Sequence, residues 1–560
     1  MQRWIPAAAG VLAATFAAAA QTPAEKCRLE GTVLNAVTGQ PVRKARITLT
    51  PAQGGGEPML ASTDAQGKYA LANIAPGTYN LTAARDGYFG QRYGARKPGE
   101  EQKGEVLDLA PGSAKSDVDL KLTPLGAIMG FVRDEDGDPV RGVNVVLLAY
   151  GYGPSGRKLQ VRGSETETDA LGEYRIFDLP AGTYYLRAKP MSEQAPAMEQ
   201  GTEAYATVYY PNSQQPAGAG AIQLAAGEVQ RGIDFVLHTI AISFIRGRVI
   251  KPAGGLKCSA ALEAGADELQ GDFLTSGGLS VVGMVSGSDI TSLDFDVAGA
   301  RQVDPDGKFE FRNVPVGNHS LTGTCRVGKQ RYTTNMPVQL DTVGLENVEL
   351  RPVGPSTITG QVTIEGESKS KVSDARVSLS GGQIFFLNVD GDSDSRGNVA
   401  EDGTFRLPDL VAGVYRINVK PPDGLYVKSI AEDGSDVAQS GVDLSAGAMT
   451  AAVQVVLSAN GGSIEGSVEN GAGAQVTLIP SDPETARMRA QVTTADPHGR
   501  FAFPALAPGH YQLYAWEGVD IDAAMYDADF RKPFESKAQT VDVEEKQKAT
   551  AQLQLIPTVE

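Results

Sequence analysis

The sequence predicts an all-β chain: five tandem Greek-key-like β-sandwich domains in an elongated array. Three observations lead there. Gly is abundant, at 65 of 560 residues, and Tyr outnumbers Trp by 18 to 2. Long amphipathic helix patterns are missing, a combination that marks strands joined by many turns. Above all, one segment recurs five times. It reads Asp64-Ala-Gln-Gly67-Lys-Tyr69-Ala-Leu71-Ala-Asn-Ile74-Ala-Pro-Gly77-Thr-Tyr79-Asn-Leu81 and returns around Gly172/Gly182, Gly307/Gly317, Gly403/Gly413 and Gly499/Gly509.

In every copy the two glycines are ten residues apart. An aromatic follows the first by two positions: Tyr69, Tyr174, Phe309, Phe405 and Phe501. A Tyr follows the second by two in four copies (Tyr79, Tyr184, Tyr415, Tyr511), and His319 stands there in the third. The Asp-x-x-Gly opening predicts a turn, with Asp bonding its own backbone and Gly taking positive φ. The fourth copy has Ala400 in place of that Asp and Asp402 beside the Gly. Alternation through Tyr69 and Leu71 predicts a strand with one buried face, and the second Gly predicts the turn into the returning strand.

Each copy also starts with Gly-x-Val: Gly31/Val33, Gly130/Val132, Gly247/Val249, Gly360/Val362 and Gly466/Val468. A second strand follows, as in Ala45-x-Ile47-x-Leu49 and Ala375-x-Val377-x-Leu379. Paired alternating runs close the unit, such as Leu107–Leu109 with Val118–Leu122, and are read as a hairpin. Seven short strands per unit predict a sandwich. The starting glycines lie 99 to 117 residues apart, so each unit is long enough to bury its own core. The expected division is 1–20 signal peptide, then sandwiches at 21–123, 124–241, 242–354, 355–460 and 461–560. The third is divergent, with an insertion near Gly271–Ala300.

Residues 1–20 read as an export signal. Arg3 supplies the positive start, Ile5 to Ala20 is apolar or small, and Ala18-Ala19-Ala20 offers the cleavage site. The predicted location is secreted, periplasmic or at the cell surface. No other apolar stretch is long enough to span a bilayer, so no transmembrane segment is expected in the mature chain. The formal charge is −17. With no basic run, this argues against nucleic acid and anionic membranes as partners. The expected partner is an envelope or extracellular protein or polysaccharide.

The Gly-x-Val start, the Ala-x-Ile-x-Leu strand and the Asp-x-x-Gly-x-Tyr…Pro-Gly-x-Tyr block resemble the carboxypeptidase regulatory-like domain. Related folds are the Cna B-type repeats and the carbohydrate-binding-like sandwiches. The resemblance runs over residues 28–557 and is weakest in the third copy. It implies the sandwich fold and leaves the function open.

The chain has four His (His238, His319, His498, His510), and none stands in H-x-x-E or H-E-x-x-H. There is no G-x-S-x-G elbow, no Cys beside a base and no phosphate loop in a strand–loop–helix context. The Cna B-type crosslink needs a Glu four residues after the second Tyr; Ala83, Ala188, Gly323, Val419 and Ala515 stand there instead. No catalytic residue and no cofactor are therefore assigned, and the chain is read as a non-catalytic binding or structural protein. Two rivals are a carbohydrate-binding protein and a carboxypeptidase-type hydrolase or its accessory module.

Three candidate sites remain. Asp390, Asp392, Asp394, Asn398 and Glu401 have the spacing of a Ca²⁺ loop, although Ser395 replaces the sharp-turn Gly. The alternative reading is a solvated acidic hairpin loop; Asp134 to Asp138 is a weaker case. Trp516, Tyr209 and Tyr210 lead a set of aromatics between the repeat Tyr strand and the closing strands, and could stack on a glycan or cover the open end of the core. Cys258 and Cys325 both fall in the third copy and are the expected disulfide, leaving Cys27 unpaired.

Overall fold

A computed structural model describes residues 25–53, 56–95, 104–153, 157–190, 203–253, 257–264, 301–303, 306–328, 330–381, 396–483, 486 and 489–557. The insertion near Gly271–Ala300 and the export signal lie outside these residues. Over the described residues the chain forms two compact units. One holds 25–130, 175–183 and 222–233; the other holds 131–174, 184–221 and the remainder.

The first unit contains the first repeat copy, whose strands are β1 Cys27–Asn35, β2 Arg46–Pro51, β3 Met59–Ser62, β4 Lys68–Ile74, β5 Gly77–Ala84, β6 Gln91–Arg92, β7 Leu107–Leu109, β8 Ala114–Lys115 and β9 Leu120–Leu122. One sheet places β4 antiparallel to β1, and β8 and β9 parallel to it. The other joins β3, β2 and β5, with β6 and β7 on β5. The inward residues Leu29, Val33, Ile47, Leu49, Leu71, Leu81 and Leu120 are buried between the sheets. Burial of each such side chain contributes about 1.5–3 kcal/mol.

Two expectations are corrected here. The closing runs are not a hairpin: β7 pairs with β5 in one sheet and β9 with β1 in the other. Nor do β4 and β5 pair across the second Gly, since β4 pairs β1 and β5 pairs β2. Both connections arch across the core. Period-2 alternation says that one face is buried, and strands facing each other across a sandwich alternate just as neighbours do. The fourth and fifth copies repeat the arrangement. Val442–Asp443 pairs Val414–Lys420 while Thr450–Ser458 runs parallel to Ser356–Glu365. Gln539–Val543 pairs Gly509–Trp516 while Lys548–Ile556 runs parallel to Gly462–Glu469.

The repeat residues have matching partners. The first-strand Gly lies opposite the repeat aromatic at Gly31↔Tyr69, Gly247↔Phe309, Gly360↔Phe405 and Gly466↔Phe501. The Gly of the first turn has positive φ in all five copies (Gly67, Gly172, Gly307, Gly403, Gly499). Its carbonyl accepts from the N–H of the Gly-x-Val valine at 2.7–2.8 Å in each. The turn Asp behaves as expected: Asp64 accepts from Gln66 and Lys68 N–H, Asp169 from Leu171 and Glu173, Asp496 from His498 and Arg500. In the fourth copy Asp402 accepts from the Thr404 N–H instead.

The repeat Tyr hydroxyl donates to the carbonyl four residues back: Tyr79 to Ala75, Tyr415 to Val411, Tyr511 to Ala507. His319 reproduces this bond through Nε2 to Pro315 at 2.6 Å, which is why it can stand in the Tyr position. Burial pushes the Tyr415 phenol up to about 12, so it stays a donor.

The second unit shows three local departures. Cys258 and Cys325 are register partners on Lys257–Ala264 and Gly317–Val327 and are joined as a disulfide; Cys27, in the first unit, is a buried free thiol. The fifth copy is one continuous seven-stranded sheet, because the end of Gly509–Trp516 pairs in parallel with Lys548–Ile556 (Ala515↔Leu555). Val353 exchanges both backbone hydrogen bonds with Thr333, while the Gly354 carbonyl accepts from Ala448 N–H, so this connection is bonded along its length.

One repeat feature was not read from the sequence. Four residues before the second Gly, Asn73, Asp178, Asn313, Asp409 and Ala505 all have φ between 54° and 61°. In four copies the register of the first strand slips at this point, a β-bulge. Asn and Asp adopt this left-handed region more readily than Ala, for which it costs roughly 1–2 kcal/mol. Ala505→Asn is therefore expected to stabilise the fifth copy by about 1 kcal/mol, read as a higher denaturation midpoint. An unchanged or lower midpoint would contradict this account of the bulge.

Candidate functional site

The aromatic candidates are core residues. Trp516 is 1 % exposed. Its ring stacks on Tyr514 at 5.5 Å, meets Phe534 edge-on at 5.3 Å, and its Nε1 donates to Thr477 Oγ1 at 3.0 Å. The cover is a helical insert that the sequence reading missed: α1 Ile521–Tyr526, α2 Ala528–Arg531 and a 3-10 turn at Lys532–Lys537. Asp520 and Asp527 cap the two helices by accepting backbone N–H bonds. Arg531 closes them by donating to the Ala524 and Met525 carbonyls, and burial lowers its pKa. Tyr209 is likewise 1 % exposed, packed with Val146, Leu148, Leu159 and Tyr185. Tyr210 is half-buried and meets Phe235 edge-on. The glycan-stacking reading of Trp516 and Tyr209 is corrected: their ring faces are occupied by protein. The signals that mark the insert are the Asp520 and Asp527 caps, but its helices are too short to show a period.

Of the acidic loop, Asp390, Asp392 and Asp394 lie outside the described residues. Asn398 is exposed and its Oδ1 accepts from Arg376 at 3.5 Å; Glu401 is exposed in the Ala400–Gly403 turn. Asp134 is committed to its own turn, accepting from Asp136 and Asp138 N–H and from the Tyr205 hydroxyl. Among the described residues no group of three or more His, Cys, Asp or Glu could hold a metal ion.

The histidines are scattered. His238 bonds Glu135 at 2.9 Å and Asn212 at 3.0 Å. His510 bonds Asp542, but both side chains are over 70 % exposed, so neither is desolvated as a tuned general base would be. His498 is a turn residue, and His319 closes an arch.

A groove of about 910 Å³ lies on the outer face of the fourth copy's sheet. Thr359, Gly360, Gln361, Ala452, Val453 and Gln454 line it from the two central strands, Arg406 and Asp409 from the neighbouring strand, and Asn398 and Asp433 complete the lining. The matching face of the third copy is smaller, about 540 Å³, and is crossed by ion pairs. There Arg246 bonds Glu310 at 2.8 Å and Glu346 at 3.2 Å, and Arg312 bonds Glu310 at 2.9 Å. Counted from the first-strand Gly and its partners, Thr359 replaces Arg246, Arg406 replaces Glu310 and Pro408 replaces Arg312.

Because Trp516 is a keystone of a small aromatic core, Trp516→Ala is expected to destabilise the fifth copy by about 3–5 kcal/mol. Denaturant unfolding measures this. A variant as stable as the parent would return the ring to a surface role.

Comparison with known proteins gives the following. The chain resembles the Bacillus anthracis TIE protein at 12 % identity, covering 59 % of this chain and 51 % of that one, TM-score 0.16. It therefore spans about half the length of that protein. It resembles the Streptococcal ancillary pilin at 11 % identity, covering 59 % and 99 %, TM-score 0.22. A third is GBS52, the minor pilin of Streptococcus agalactiae, at 15 % identity, covering 38 % and 95 %, TM-score 0.21. No curated protein matches the sequence. The model of the carboxypeptidase regulatory-like domain matches twice, at residues 28–123 and 127–238, so the chain over those residues is similar to a tandem pair of that family's domains.

Proposed function

We propose that the protein is a non-catalytic, exported, multidomain binding or structural protein of the cell envelope or extracellular space. The supporting observation is how the repeat residues are used. The turn Asp and Gly, the aromatic on the first-strand Gly and the Tyr or His that closes the arch are each engaged in turn, packing or backbone hydrogen bonding. Little of the shared pattern is left over for chemistry. Export rests on the character of residues 1–20, and the partner is an envelope or extracellular protein or polysaccharide. No helix among the described residues is long and apolar enough to cross a membrane.

The proposal divides the mature chain into five sandwiches with boundaries near 124, 242, 355 and 461. Strands begin at Gly126, Ser356 and Gly462, close to three of these positions, and the strand Thr239–Val249 runs across the fourth.

Two assays on the mature chain test the reading together. Limited proteolysis is expected to leave fragments of whole repeats; a stable core made of half of one repeat and half of the next would reject the division. Incubation with peptides bearing free C-termini, with and without added zinc, is expected to release no amino acid. Release that persists in highly purified protein would reject the non-catalytic reading.

A further inference from the structure

The geometry points to the outer groove of the fourth copy as a binding site for a neutral, polyhydroxylated chain, that is, an uncharged oligosaccharide. This deepens the proposed binding role and rests on it. The third copy carries charge on the same face. There the Arg246, Glu310, Arg312 and Glu346 side chains spend their charges on one another. In the fourth copy that network is gone, and the small residues Thr359 and Ala452 with Gly360 leave a hollow. Among the described residues Arg406, Asp409, Asp433 and Gln454 make no side-chain hydrogen bond or ion pair, while Gln361 donates only a long bond to the Asp402 carbonyl at 3.3 Å.

The chemistry of the hollow selects the ligand. Its floor strands, Ser356–Glu365 and Thr450–Ser458, are each hydrogen-bonded on both sides, so the floor offers no backbone ladder to an extended peptide. The lining side chains include three amides, two carboxylates and a guanidinium, which an apolar ligand would desolvate without pairing. The lining holds one Arg against two Asp in charge, which disfavours a polyanion. A ligand that brings hydroxyls able both to donate and to accept along its whole length matches Gln361, Gln454 and Asn398 as amides, Arg406 as donor and Asp409 and Asp433 as acceptors. The lining runs across Thr404–Leu410, Ser356–Glu365 and Thr450–Ser458 to the turn at Asp433 after Tyr426–Glu432, three inter-strand spacings or roughly 14 Å, enough for a short run of sugar rings.

The test is isothermal titration of the full mature chain with neutral gluco-, xylo-, manno- and N-acetylglucosamine-type hexasaccharides, and with an anionic polysaccharide alongside. At least one neutral hexasaccharide is expected to bind. Gln361→Ala/Gln454→Ala and Arg406→Ala should each weaken it roughly tenfold or more, without lowering the melting temperature, because these side chains are exposed. Glu346→Ala, on the third copy's face, should leave binding unchanged. No binding by any neutral probe, preference for the polyanion, or binding indifferent to the groove substitutions would each overturn the assignment. A polysaccharide still captured by the groove variants would place a site elsewhere and leave the wider binding role standing. Substrate turnover would instead remove that wider role.

Discussion

The contact on which the rest of the structure depends is an aromatic ring laid across a strand glycine. In four copies a Cβ on that Gly would come within 3.0 Å of Tyr69 at Gly31, 2.6 Å of Phe309 at Gly247, 2.3 Å of Phe405 at Gly360 and 2.5 Å of Phe501 at Gly466. A carbonyl of the parallel closing segment presses in as well, at 2.0–2.5 Å: Val118, Val348, Val453 and Ala551. One position on the first strand therefore receives a ring and a backbone together, and only hydrogen fits. None of these glycines has positive φ, so the requirement is room and not backbone conformation. The ring covers the backbone that the glycine leaves bare, and the closing segment completes the sheet. Tyr69 adds a hydrogen bond to the same Val118 carbonyl at 2.7 Å.

From that point the arches follow. With the aromatic strand and the closing strand both committed to the first strand, the strands that adjoin them in sequence must go to the opposite sheet. The Tyr or His bond to the carbonyl four residues back fixes one crossing, and the left-handed residue at the bulge lets the aromatic strand bend towards it. Variation is then tolerated on the outer faces. The third copy fills its face with ion pairs, the fifth carries its helical insert around Trp516, and the fourth leaves a hollow.

The repeat was legible in the sequence because turn chemistry is positional: Asp64, Gly67, Tyr69, Gly77 and Tyr79 have jobs tied to fixed spacing. The two-sheet assignment was not, since Leu107–Leu109 and Leu120–Leu122 alternate alike whether they are neighbours or face each other. The bulge was hidden because Asn73, Asp178, Asn313, Asp409 and Ala505 share a backbone conformation and not a residue type. Trp516 misled because its cover, Ile521–Tyr526 and Ala528–Arg531, is shorter than the window in which a helical period can be seen. The groove left no motif at all. It arises from what Thr359 and Pro408 lack when set beside Arg246 and Arg312, a comparison that only the aligned strands make.

The glycine–ring contact is tested most directly by equilibrium unfolding of Gly360→Ala beside Gly153→Ala. Gly153 has open space around its Cβ position and no positive φ, so its substitution should change stability by less than about 0.5 kcal/mol. Gly360→Ala must displace Phe405 or the Val453 carbonyl, and is expected to destabilise the fourth copy by about 1–3 kcal/mol. Equal stability of the two variants would contradict the claim that this contact organises the fold.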